Sequence, residues 1–174
     1  QGDLCEAGVW RGGVTIFMRG YLAAHEMTDR LVWAADSFEG LPVPSLPQDE
    51  GYDLSKSKSP VLAVSLEEVQ NTFRLYDLLD DRVRFLKGWF RDTLAPAPIE
   101  KLALLRLDGD LYESTMDTLD ALYDRVVVGG YVIVDDYNAF DECKRAIDEY
   151  RTANGITEPM VAIDNLAVYW RKER

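Results

Sequence analysis

Two short apolar runs end abruptly in carboxylates. Leu104-Leu105-Arg106-Leu107 runs into Asp108-Gly109-Asp110, and Tyr131-Val132-Ile133-Val134 runs into Asp135-Asp136. Read as neighbouring parallel strands, they deliver their acidic tips to one edge of a sheet. Asp108, Asp135 and Asp136 then meet. Carboxylates held together repel and raise one another's pKa unless a cation lies between them, and all-oxygen ligation suits a hard divalent ion such as Mg2+. A single aspartate at a strand end is as well explained by a turn or a helix cap. The weight comes from two strands doing this, one with a doubled Asp.

A second group of residues points to a nucleoside-bearing cofactor. Asp3 to Ala7 reads as a strand, Gly8-Val9-Trp10-Arg11-Gly12-Gly13 as a glycine-rich turn, and Val14 to His25 as a buried helix. Strand, glycine turn and helix open a nucleotide-binding α/β unit, in which backbone can approach a ligand and a helix N-terminus offers free N–H groups. The next apolar run, Leu31 to Ala35, ends in Asp36-Ser37-Phe38, with an acid placed to accept from two ribose hydroxyls. Gly88-Trp89-Phe90, after a strand at Val83 to Leu86, could flank an adenine ring or merely cap the sheet edge.

These tips need elements to position them. Ser65-Leu66-Glu67-Glu68 is a capping box, and Leu66, Val69, Phe73 and Tyr76 mark the packed face of a helix running to about Leu79. Further helices are expected over Ser114 to Tyr123 and Asp141 to Asn154, the latter closed by Gly155. Gly129-Gly130 reads as a turn before the Asp135-Asp136 strand. Met160 to Ile163 and Leu166 to Trp170, joined through Asp164-Asn165, read as an antiparallel hairpin. The sum is an α/β fold with a Rossmann-like, doubly wound, mostly parallel sheet and an antiparallel C-terminal hairpin. Between Glu39 and Pro60 lie four prolines and no apolar period, which suggests a lid over the site.

Composition narrows the function classes. The 174 residues, 47% hydrophobic, fit one domain spanning 1–174. With 31 acidic against 19 basic residues the net charge is -12, which disfavours nucleic acid and anionic membrane surfaces as partners. Cys5 and Cys143 make no CxxC pattern and His25 is the one histidine, so zinc sites, disulfide frameworks and multi-histidine catalysis are set aside, and a reducing cytoplasm is the expected compartment. The sequence carries no Walker lysine motif, no complete G-x-G-x-x-G and no G-x-S-x-G elbow. It opens as Gln1-Gly2-Asp3 and enters a strand almost at once, as the remainder of a longer protein would.

Five stretches in order, Cys5-Glu6-Ala7-Gly8-Val9-Trp10-Arg11-Gly12-Gly13, Ala35-Asp36-Ser37-Phe38-Glu39-Gly40-Leu41-Pro42, Gly88-Trp89-Phe90, Leu107-Asp108-Gly109-Asp110-Leu111-Tyr112 and Asp135-Asp136-Tyr137, resemble the motifs of the macrocin O-methyltransferase family. The resemblance implies S-adenosylmethionine and Mg2+ as cofactors and a small-molecule hydroxyl acceptor, a sugar or diol of a glycosylated natural product. It places Glu6, Gly8, Trp10, Gly12, Asp36, Ser37, Gly88, Trp89 and Asp108 around the cofactor. Within that set, Gly8 and Gly12 would face the methionine part, Asp36 the ribose and Gly88-Trp89 the adenine. Asp108, Asp135 and Asp136 would hold the metal, with Asp108 as the base and Asp110 as the competing choice. Family members carry a helical segment before the first strand, which is missing here; oligomerisation is left open. Two rival readings remain: a cofactor-binding module without turnover, and a metal-dependent hydrolase or phosphoryl-transfer enzyme that uses the three aspartates alone.

Overall fold

The computed structural model describes residues 1–174 and is built on a seven-stranded sheet in the order β3-β2-β1-β4-β5-β7-β6. Strands β1 (Asp3–Ala7), β2 (Val32–Asp36), β3 (Val83–Lys87), β4 (Leu102–Leu107) and β5 (Val126–Val134) pair in parallel. Strand β7 (Val168–Arg171) runs antiparallel to β5, and β6 (Val161–Ala162) antiparallel to β7. This is the expected doubly wound sheet with a C-terminal hairpin. Its order reverses between β1 and β4, so the crevice that binds ligands in open α/β sheets lies at those strand tips.

Packing follows the strand alternation. Cys5, Ala35, Leu105, Leu107, Val132 and Val134 point to one face, where they join Leu94, Leu119, Leu122, Ile147 and Trp170 in the largest apolar cluster. The helices on that side are α3 (Phe90–Thr93), α4 (Tyr112–Leu122) and α5 (Asp141–Ala153). The opposite face over β1 to β3 packs on α1 (Gly13–Ala24) and α2 (Leu66–Leu75) through Ile16, Met18, Leu22, Val69 and Phe73. Each fully buried side chain of this size stabilises the fold by roughly 2 kcal/mol. No helix is long and apolar enough to cross a membrane.

Several local expectations are corrected. Helix α1 is amphipathic rather than buried: Thr15, Ile16, Met18 and Leu22 face inward while Phe17 is 72% exposed. Helix α2 stops at Leu75 because Asp77 adopts a left-handed φ of 55°, which leaves Tyr76 exposed instead of on the packed face. Helix α4 begins at Tyr112, two residues before the expected Ser114. Gly129 and Gly130 do not turn the chain out of the sheet. They lie inside β5, where pairing with β4 jumps from Leu102↔Val126 to Leu104↔Tyr131. A Cβ on Gly130 would stand 2.9 Å from the Val127 carbonyl oxygen, so the bulge requires glycine there.

The segment 39–60 holds a bridge between Leu41 and Ser55 and a 3-10 turn at Pro47–Asp49. A second 3-10 turn follows at Pro60–Leu62.

Candidate active site

Sheet pairing continues one residue past the strand ends, and this sets the acids side by side. The Asp108 N–H donates to the Ala7 carbonyl at 2.8 Å, and the Asp135 N–H to the Leu107 carbonyl at 3.0 Å. Gly8, Asp108 and Asp135 are therefore neighbours across three strands. Gly8, at φ 95°, passes so close that a Cβ would sit 1.8 Å from the Asp108 carbonyl oxygen. The glycine is needed for contact between two strand tips.

One carboxylate oxygen from each of Asp108, Asp135 and Asp136 lies within 4.8 Å of the other two. Asp136 is 8% exposed, and its Oδ2 is buried without a hydrogen-bond partner. An orphaned carboxylate oxygen among two further carboxylates is a donor set that a hard divalent cation fits. Burial, then the neighbouring Asp110, Asp108 and Asp135, push the Asp136 carboxyl up to about 8. Asp110 rises to about 7 through burial and the charges of Asp108 and Asp135. Asp108 is raised by burial, against the pull of Arg106.

Arg106 was not singled out from sequence, and it organises the cluster. Its Nη1 donates to Glu6 Oε1 at 2.7 Å and to Asp108 Oδ2 at 2.6 Å, and its Nη2 reaches Asp135 Oδ1 at 2.5 Å. An arginine in the middle of an apolar strand was the available signal, because a buried guanidinium requires partners. Glu6 is 1% exposed and lies beneath the site rather than in the cleft; its other oxygen accepts from the Thr15 hydroxyl in the first turn of α1. Burial raises the Glu6 carboxyl to about 7, opposed by Thr15 and Arg106 and assisted by Asp108.

The strand tips open into a cleft of about 1060 Å³, solvent-filled mouth included, and Gly8, Trp10, Asp36, Ser37, Gly88, Trp89, Asp108, Asp110 and Asp135 all line it. Asp36 organises the glycine turn: Oδ2 accepts from Val9 N–H at 2.7 Å and Trp10 N–H at 3.3 Å, and Oδ1 from Phe38 N–H at 2.7 Å. The Ser37 hydroxyl turns to the Gly40 carbonyl at 2.6 Å. Trp10 Nε1–H donates to the Val61 carbonyl at 2.9 Å, tying the turn to the 3-10 segment after the long loop. Gly40, Leu41 and Pro42 form a wall of the cleft. Gly12 is not in the cleft. At φ 84° it is the N-cap of α1, and a Cβ there would meet Val69 of α2 at 3.0 Å.

Asp108 and Asp110 differ in availability. One oxygen of Asp108 is committed to Arg106. Asp110 lines the cleft in a left-handed conformation at φ 58°, strained for a residue other than glycine, although aspartate tolerates it better than most.

The arrangement matches known proteins along its length. A family model described as macrocin-O-methyltransferase matches residues 1–172. A demethyldecarbamoylnovobiocin O-methyltransferase of Streptomyces niveus is 56% identical over 178 residues, covering 99% of this chain and 67% of its own. A mycinamicin III 3''-O-methyltransferase of Micromonospora griseorubida is 49% identical over 175 residues, covering 98% and 68%. The solved structure of the O-methyltransferase NovP superposes with a TM-score of 0.97 at 56% identity, covering 100% of this chain and 73% of that one. The chain thus spans about two thirds of the length of its curated relatives. Identity at this level from the first strand to the last, together with the family model over residues 1–172, settles the assignment: the chain belongs to the macrocin O-methyltransferase family.

Proposed function

We propose that the chain is the catalytic core of a metal-dependent O-methyltransferase that moves a methyl group from S-adenosylmethionine to a hydroxyl of a sugar on a small natural product. One observation carries the reading: the Asp108, Asp135 and Asp136 oxygens cluster within 4.8 Å, and Asp108 and Asp135 line the cleft that Gly8, Trp10 and Asp36 also line. Donor and acceptor sites would then be adjacent. Sugar hydroxyls are suggested by relatives such as the mycinamicin III 3''-O-methyltransferase and the 4'-O-methyltransferase of a rhamnosyl tetracenomycin from Streptomyces olivaceus.

When bound, S-adenosylmethionine supplies an electrophilic methyl and Mg2+ a Lewis acid that lowers the pKa of a hydroxyl. The chain's own residues supply the rest. Asp108, Asp135 and Asp136 would hold the cation, with Arg106 fixing the first two from behind. Asp110, free of the Arg106 contact and lining the cleft, is the better-placed acceptor for the hydroxyl proton, ahead of Asp108. Asp36 would hold the turn that cradles the cofactor, and Gly88 and Trp89 would border its adenine. The hydrolase reading loses its footing with the family assignment, since it made the Gly8 turn and Asp36 incidental.

Calorimetric titration of S-adenosylmethionine with and without Mg2+, in the wild type and an Asp135→Ala/Asp136→Ala double variant, tests the proposal. Cofactor binding in both proteins with cation binding only in the wild type supports it. A folded wild type that binds no cofactor sinks it. Binding of both without methyl transfer to any glycoside diol would leave a cofactor-binding module.

A further inference from the structure

Helix α4, which starts two residues after Asp110, lacks a cap of its own. Its N-cap position is Leu111, whose side chain accepts nothing. The cap comes from 63 residues away, in the long loop. Asp49, 1% exposed, splits its carboxylate between adjacent amides: Oδ1 accepts from Tyr112 N–H at 2.7 Å and Oδ2 from Glu113 N–H at 3.0 Å. Ser45 adds a hydroxyl to Glu113 Oε2 at 2.7 Å. Three residues beyond Asp49, Tyr52 meets Phe140 edge-on with ring centroids 6.0 Å apart. Phe140 is the N-cap residue of α5, the helix that follows Asp135-Asp136.

One loop therefore grips both segments that leave the acidic tips. A serine or aspartate at position 111 would cap α4 locally. A remote buried carboxylate instead makes the start of α4 depend on the seating of the loop, because an unseated Asp49 leaves two amides unpartnered. The same loop forms the cleft wall through Gly40, Leu41 and Pro42.

We propose that Asp49 is a positioning residue: it clasps loop 39–60 to the start of α4 and, with Tyr52 on Phe140, sets the spacing of the Asp108–Asp110 tip relative to Asp135-Asp136. Closing the cleft wall and shaping the acid cluster are then one event. The consequence for a cation rests on the function proposed above, whereas the clasp itself does not.

Hydrogen exchange on the full chain, read by mass spectrometry in the wild type, Asp49→Ala, Asp49→Asn and Tyr52→Leu, tests the clasp. In Asp49→Ala, exchange rises in 39–60 and also in 108–113 and 135–140. Asparagine keeps one acceptor and rescues part of the protection. Tyr52→Leu, which removes no buried charge, loosens 135–140 and keeps the test decisive if Asp49→Ala fails to fold. Release confined to 39–60 overturns the clasp. Mn2+ titration followed by electron paramagnetic resonance adds the second readout: affinity falls roughly tenfold in Asp49→Ala, the scale of losing a helix cap, and less in Asp49→Asn. Unchanged Mn2+ affinity with both tips released overturns the positioning role. A wild type that binds no Mn2+ counts against the metal reading, and the exchange result still decides the clasp.

Discussion

Glu6 and Arg106 stand opposite each other in the β1–β4 register and close a buried ion pair at 2.7 Å directly beneath the acid cluster. The same guanidinium nitrogen also holds Asp108, while the other oxygen of Glu6 accepts from Thr15 at the start of α1. A continuous polar path thus joins the helix behind the glycine turn to the carboxylates across the cleft.

That path makes Arg106 costly to lose. Arg106→Leu leaves Glu6, Asp108 and Asp135 facing one another without a cation, and breaking a buried pair from one side costs about 3–5 kcal/mol. Urea unfolding of the metal-free protein at about pH 8, where Glu6 is ionised, should show that loss. Arg106→Lys should recover only part of it, because one ammonium cannot present two nitrogens to three carboxylates in the guanidinium geometry. A variant as stable as the wild type would mean that the three acids are not charged together.

Glu6 gives the stability a pH dependence. Its folded-state pKa of about 7 lies above the ordinary carboxylate value, so the stability that it contributes is complete below pH 4 and is lost as pH rises through 7. Glu6→Gln removes that slope while keeping the shape. The stability of Glu6→Gln relative to wild type should therefore improve between pH 4 and pH 8 by on the order of 3 kcal/mol, read from urea unfolding at both pH values. A constant difference would show that Glu6 stays ionised in the fold throughout.

The acid tips were legible because an apolar run that ends in aspartate is a local pattern, and parallel pairing does the rest. The α/β alternation and the terminal hairpin were legible for the same reason. Gly129-Gly130 was misread because a bulge inside a strand and a turn between elements demand the same backbone freedom, and only the β4 partner distinguishes them. Asp49 was invisible: its partners are the amides of Tyr112 and Glu113, and no spacing within an irregular loop encodes them. Gly12 sits in the turn as expected, and the close approach of Val69 of α2 to its Cβ position is a long-range contact that no local spacing encodes.

Gly8→Ala should disable both halves of the site. The added Cβ would lie 1.8 Å from the Asp108 carbonyl oxygen at a backbone φ of 95°, so either the β1 or the β4 tip must move. A loss of about 3 kcal/mol or more is expected from combined strain and overpacking. Titrations should show S-adenosylmethionine and Mn2+ affinity falling together. Gly13→Ala is the control. With nothing within 4 Å of its Cβ and a place in the first turn of α1, it should be neutral or stabilise by about 0.5 kcal/mol. Selective loss of cofactor binding in Gly8→Ala would show that the glycine matters for ligand approach rather than for joining the tips.

Asp136 should trade stability against cation binding. Its carboxylate is buried beside Asp108, Asp110 and Asp135, and one of its oxygens has no partner. Above about pH 8, where the Asp136 carboxyl ionises, Asp136→Asn removes one charge from that crowd, and it supplies an amide donor to the Asp108 carboxylate. At about pH 9 without divalent cations, the variant should be more stable than the wild type by on the order of 1–3 kcal/mol, the scale of an unsatisfied buried polar group. With Mg2+ at roughly a hundredfold over its dissociation constant, the wild type should gain about 2.7 kcal/mol by mass action while the variant gains little. Thermal unfolding with and without Mg2+ would show the two midpoints converging or crossing. A variant that is less stable than the wild type in the absence of metal would identify Asp136 as a structural carboxylate, and the site would then need a different set of ligands.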